Sequence, residues 1–149
     1  MYWATLVLVA FALNWLWEML QMPAYAEMAG RSWSESALRR ALAALADVGF
    51  TCAAHATGAL AAGYLSWGMS GKWNIYATGA LVAGAIGTAA EWDAVRSGRW
   101  SYTDRMPMVP VLGLGLWPVL QLALLAPLAF AIAAWCAGRI ARCGQKGPG

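Results

Sequence analysis

Apolar residues run through this chain in four long stretches, broken by short polar segments rich in Pro, Gly and Arg. The first runs from about Ala4 to Met22 and stops before Pro23. The second runs from about Leu38 to Trp67, the third from about Trp73 to Trp92, and the fourth from about Val109 to Ile140. Crossing the hydrocarbon of a bilayer takes about 20 apolar residues as helix, so the pattern predicts an all-α membrane protein, a bundle of four transmembrane helices. The fourth stretch is too long for one straight span, and Pro110, Gly113, Gly115 and Pro118 interrupt its first third. Proline suits the first turn of a helix and breaks an interior. An interfacial or re-entrant piece over Pro110–Trp117 is therefore expected, then a helix starting at Pro118 that Pro127 bends but does not stop. Residues 1–142 read as a single transmembrane domain, and 143–149 as a flexible tail.

Composition agrees with lipid as the solvent. The 149 residues are 61% hydrophobic and 11% charged, against about 25% charged in soluble domains. The first apolar run lacks the basic start and small-residue cleavage site of a signal peptide, offering Trp15, Trp17 and Glu18 instead; it reads as a retained span. The net charge of +3 is scattered, without the basic stripe that nucleic-acid binding needs. Cys52, Cys136 and Cys143 form no C-x-x-C pair, so neither a disulfide framework nor a zinc site is indicated; copper on Cys52 and His55 is a remote alternative, and no cofactor is expected. Basic residues favour the loops holding Arg31, Arg39, Arg40, Arg96, Arg99 and Arg105 over the side of Lys72, Arg139, Arg142 and Lys146, a mild preference for cytoplasmic loops.

Against this apolar background three carboxylates stand out. Glu18 lies near the exit of the first span, Asp47 near the entry of the second and Glu91 near the exit of the third. Any four-span threading brings them to one leaflet. An ionisable group inside a span costs about 2.5–3.5 kcal/mol at mid-helix and by default marks function. Asn14, Glu18 and Gln21 share a helical face, and Asp47, Thr51 and His55 form a polar stripe that puts His55 about 12 Å deeper than Asp47. Gly84, Thr88 and Glu91 predict a face packed inside the bundle, since small residues let membrane helices approach closely. The loop from Glu91 to Pro107 adds Trp100 and Tyr102, and Gln121 lies one turn into the last helix. Each feature also has a plain reading: interfacial anchoring for the tryptophans, interhelical hydrogen bonding for His55, and an ion pair of Glu91 with Arg96 or Arg99.

The pattern N-x-x-W-E at Asn14, Trp17 and Glu18, followed by Gln21, Pro23 and Tyr25, resembles small bacterial polytopic membrane proteins. So does the run E…G-R-W-S-Y-T-x-x-M-P…G-L-W-P-V-L-Q from Glu91 to Gln121. More distantly, Trp17-Glu18 is similar to the signature of integral-membrane terpene cyclases, and the Glu91–Pro107 run to membrane carotenoid cyclases and hydratases. The resemblance implies carboxylic acids that protonate an alkene or epoxide of an isoprenoid, with Glu18 and Glu91 as acid and base and Asp47 as tuner or second acid. Asn14, Trp17, Gln21, His55, Trp100, Tyr102 and Gln121 are then expected to contact substrate. Tryptophan faces stabilise cations by about 2 kcal/mol when desolvated, a role open to Trp15, Trp17 and Trp100. The expected partners are membrane lipid, a lipophilic small molecule, and further copies or subunits in the inner membrane of a bacterium. Two other classes stay open: a non-enzymatic membrane subunit or assembly factor, and a small oligomeric proton-coupled carrier using Asp47, Thr51 and His55.

Overall fold

The computed structural model describes residues 1–70 and 72–144. Four long helices account for most of it: α1 (Tyr2–Gln21), α2 (Trp33–Ala62), α3 (Trp73–Arg96) and α4 (Leu116–Gly144). Each helix packs on its sequence neighbour, and α1 closes the ring against α4. The C-terminal ends of α1 and α3 meet the N-terminal ends of α2 and α4, so the bundle runs up-down-up-down.

Local chemistry explains the ends. Pro23, which has no N–H to continue the ladder, turns α1 into two 3-10 turns at Met22–Ala24 and Ala26–Met28. A capping box opens α2: Ser32 Oγ accepts the Glu35 N–H at 3.3 Å, and Glu35 Oε2 accepts the Ser32 N–H at 3.2 Å. The helix stops at Gly63, whose φ of 78° requires glycine and whose N–H closes on Ala59 O. The expected second span thus ends five residues early. Beyond Gly63 a turn and a 3-10 segment, Trp67–Met69, plug the end of the bundle. Trp67 is fully buried, its indole lies on Gly58, and a Cβ there would stand 2.3 Å from Trp67 Cζ2.

The Gly/Pro-broken stretch folds as a short hairpin. Met108–Val109 (β1) pairs antiparallel with Leu114–Gly115 (β2), with Met108 opposite Gly115 and Val109 opposite Leu114. Gly113, at φ 65°, makes the turn possible. α4 then begins at Leu116, two residues before the expected Pro118, which occupies its first turn where a missing N–H costs nothing. Pro127 lies inside the continuous helix as expected. α4 also carries through Cys143 to Gly144, so the first two residues of the expected tail are helical; 145–149 lie outside the described residues.

The buried face of α3 is Gly79, Ala83, Gly87, Glu91 and Ala94, spaced by three or four residues. A Cβ on Gly87 would meet Leu122 Cδ1 at 3.0 Å. These small side chains seat α3 on α4 and carry Glu91 to 5% exposure. Two helical stretches, Tyr2–Ala24 and Leu116–Arg142, are long and apolar enough to cross a membrane, and only 22% and 39% of their apolar windows are buried. α2 is the longest helix but carries Arg39, Arg40 and Asp47 in its first half, which lowers its apolar character.

Candidate functional site

At the end of the bundle opposite Trp67, polar side chains from all four helices meet. α1 contributes Asn14, Glu18 and Gln21, all buried on the face that spacing predicted. α2 contributes Arg40 and Asp47, seven residues apart and therefore on one face. α3 brings Glu91, and α4 brings Gln121.

Gln121 is the hub. Its Nε2 donates to Asp47 Oδ2 at 2.7 Å and to Asn14 Oδ1 at 3.1 Å, while its Oε1 accepts from Gln21 Nε2 at 3.0 Å. Gln21 Nε2 also donates to Glu18 Oε1 at 3.0 Å, and Glu18 Oε2 accepts from Arg40 Nη1 at 2.7 Å. A continuous hydrogen-bonded chain therefore links Asp47 to Arg40 through three helices. Arg40 also stacks over Tyr25, its Cζ 4.6 Å from the ring centroid, and is only 8% exposed.

Glu91 is held from outside the bundle. Tyr102 Oη, Trp100 Nε1 and Tyr25 Oη all donate to its Oε1, at 2.5, 3.1 and 3.5 Å. Its Oε2 receives no hydrogen bond among the described residues. The donors come from two connecting segments that fasten together. Tyr25 and Tyr102 form an antiparallel bridge, the Ala26 N–H donates to Ser101 O at 3.0 Å, and the Thr103 N–H donates to Ala24 O at 2.9 Å. Burial, and secondly the Glu91 carboxylate, push the Tyr25 phenol well above its ordinary range. Burial and the bond to Glu91 raise Tyr102 likewise. Both phenols stay protonated and remain donors.

The three carboxyls have different surroundings. Glu18 has a cation, and Glu91 has three donors on one oxygen. Asp47 has one amide donor and no cation within ion-pair distance among the described residues. All three line one cleft of about 1000 Å³ between α2 and α3, with Arg40, Trp100, Phe50 and Gln121.

Of the residues picked from sequence, Asn14, Glu18, Gln21, Asp47, Glu91, Trp100, Tyr102 and Gln121 come together here. Trp17 does not: adjacent helical residues diverge by about 100°, and Trp17 packs on Trp117 with ring centroids 6.3 Å apart. His55 is likewise distant. It sits at the plugged end in a cage of Tyr2, Trp3, Trp67 and Phe130, ring centroids 4.5–5.6 Å away. Both its ring nitrogens lack a hydrogen-bond partner among the described residues, as does Thr51 Oγ1. The anticipated pairing of Glu91 with Arg96 or Arg99 is replaced by the Tyr–Trp clasp, and Arg99 pairs with Asp93. Arg40 and Tyr25 are site members that sequence reading passed over. Extending the Asp47 stripe back seven residues points to Arg40, which read instead as a loop charge.

Among the described residues no group of three or more His, Cys, Asp or Glu side chains is arranged to hold a metal ion. No protein-family model, curated protein or solved structure matches the chain.

Proposed function

We propose that this chain is a multi-pass protein of a bacterial inner membrane, with all four helices spanning, and that its cleft is the active centre of an acid/base enzyme acting on a lipophilic, isoprenoid-type substrate. The supporting observation is the convergence of Glu18, Asp47 and Glu91, from three helices, on one cleft whose remaining wall is largely apolar and aromatic. Outward-facing leucines such as Leu8, Leu60 and Leu81, each at least 70% exposed, support lipid as the surrounding solvent. A polar cluster inside such a bundle is the expected place for function.

The unequal surroundings of the three acids suggest a division of labour different from the one the resemblance implied. Glu18 is neutralised by Arg40 and serves as a fixed structural charge. Asp47 is the proton donor, oriented by Gln121 and free of any cation. Its O–H delivers a proton to one carbon of a substrate double bond; the π pair forms the new C–H bond and leaves positive charge on the neighbouring carbon. Trp100 borders that charge. Glu91, its Oε1 pinned by three donors, uses Oε2 to take a proton from an adjacent carbon, and that C–H pair re-forms a double bond. The net result is an isomerised alkene with no change in oxidation state, and proton exchange of Asp47 and Glu91 with water restores the starting state.

The test is solvent-deuterium incorporation. Purified protein in bacterial lipid, supplied with polyprenyl alkenes in heavy water, is expected to place deuterium on carbon, detected by mass spectrometry. Asp47→Asn and Glu91→Gln are expected to abolish incorporation while the protein still inserts. Wild-type protein without incorporation, or full activity in both variants, overturns the enzymatic reading. A proton-coupled carrier is the second reading, favoured by the unpartnered polar atoms of Thr51 and His55 on the α2 stripe; proton flux into liposomes that His55→Ala removes would select it.

A further inference from the structure

The cleft changes character along its length. Arg31 and Arg39 stand exposed at its rim, Leu42, Ala46, Phe50 and Ile86 line its flank, and Asp47 and Glu91 lie on its floor. Neither rim arginine has a carboxylate within ion-pair distance among the described residues. Glu35, which both arginines influence, is tied to Ser32, and Glu27, also in the lining, accepts from Ser101. Arg31 uses its Nε on the Glu27 carbonyl, which leaves its terminal nitrogens free.

Arg40 supplies an independent sign. It is more than nine-tenths buried in the cleft wall, and Nη1 is its one nitrogen with a hydrogen-bond partner among the described residues. A guanidinium offers five N–H donors in a planar fork. Glu18 takes one of Arg40's, and Tyr25 covers its face. A buried donor left over in the wall of a cavity calls for an acceptor from the cavity side.

We propose that the cleft takes a single-chain amphiphile with an anionic head group, phosphate or carboxylate, whose oxygens sit among Arg31, Arg39 and the free edge of Arg40 while its chain lies along the apolar flank between α2 and α3. This deepens the enzymatic reading by naming the substrate class. Asp47 lies seven residues beyond Arg40, about 10 Å along the helix axis. The bond it protonates is therefore well down the chain and not next to the head group. The acidic floor works in the same sense, repelling the head from the depth of the cleft and fixing the direction of entry.

The experiment is thermal unfolding of the full chain in nanodiscs of zwitterionic phosphatidylcholine, with ligands that share one chain length. Dodecyl phosphate and dodecanoate are expected to raise the Tm saturably, because a ligand bound only by the folded state stabilises it by mass action. Dodecanol, dodecyltrimethylammonium and inorganic phosphate are expected to leave it unchanged. The double variant Arg31→Gln/Arg39→Gln, at exposed positions, should keep the unliganded Tm and raise the half-saturating concentration of dodecyl phosphate roughly ten-fold, as loss of charge-assisted bonds implies. Equal shifts from the alcohol or the ammonium overturn the assignment. So does a shift reproduced by inorganic phosphate alone, or an unchanged half-saturation in the double variant. Head-selective binding without turnover would leave a lipid-binding cleft and remove only the enzymatic reading. Turnover without head selectivity would do the reverse.

Discussion

Arg40 Nη1 lies 2.7 Å from Glu18 Oε2, and both side chains are over 90% buried. The pair joins α1 to α2 and neutralises a buried charge in the cleft wall. Removing one partner from a buried pair strands the other charge, typically at about 3–5 kcal/mol. Arg40→Leu is therefore expected to lower stability by that order in denaturant or thermal unfolding in micelles. Adding Glu18→Gln to Arg40→Leu should recover most of the loss. If the double variant is as unstable as the single one, the pair is not the cause.

Gln121 holds three partners on two other helices. A buried polar group left without a partner costs about 1–3 kcal/mol, and Gln121→Leu would strand several at once. We expect a loss of at least about 2 kcal/mol, larger than that of Asn14→Leu, which leaves Gln121 bonded to Asp47 and Gln21. Unfolding of the two variants side by side measures the difference.

Two glycines on α2 should respond in opposite ways to alanine. At Gly58 the new Cβ would collide with the Trp67 indole, and overpacking of this kind costs about 1–3 kcal/mol. At Gly49 nothing lies within 4 Å, so the substitution should stabilise by about 0.5–1 kcal/mol through reduced unfolded-state freedom. Loss of Trp67 burial in Gly58→Ala, read by quencher access to its fluorescence, gives the structural counterpart.

The capping box carries a pH dependence. Hydrogen bonds from Ser32 hold the Glu35 carboxyl below its ordinary value of 4.5 in the folded chain. A depressed folded pKa stabilises above the unfolded value and loses that contribution as pH falls through the folded one. Ser32→Ala, expected to cost about 1 kcal/mol near neutrality, should therefore cost less when unfolding is followed well below pH 4.5. An equal penalty at both pH values would show that the carboxylate takes no part in the cap.

Tyr102→Phe removes the shortest donor to Glu91 while preserving the ring. On the proposed mechanism it should reduce deuterium incorporation about 10²-fold, the scale of a misplaced catalytic group, without changing dodecyl phosphate binding.

Much of the site was legible in the sequence because threading alone decides which helix ends share a side. Glu18, Asp47 and Glu91 needed only the number of long helices to be brought together. The small-residue face of α3 also pointed the right way, although Gly87 and not Gly84 lies in line with Glu91. What escaped was whatever depended on where a helix stops. Gly63 ends α2 inside an unbroken apolar run, so the Trp67 plug and the aromatic cage around His55 were invisible. The hairpin at Met108–Gly115 consists of two-residue strands, too short for any alternation to register. Arg40 was hidden for another reason: in composition it resembles Arg39, and only packing against α1 separates the buried arginine from the exposed one.

The bonds around Gln121 also set an order of assembly. Glu18 and Arg40 are 22 positions apart along the chain, whereas Gln121 reaches Asp47 across 74 and Asn14 across 107. Contacts of short separation close early and cheaply, distant ones late. The first helical hairpin can thus leave the ribosome with its charges already matched, while the lone aspartate waits for the last quarter of the polypeptide. A product truncated before α4 would retain the neutralised pair but leave Asp47 without its amide partner.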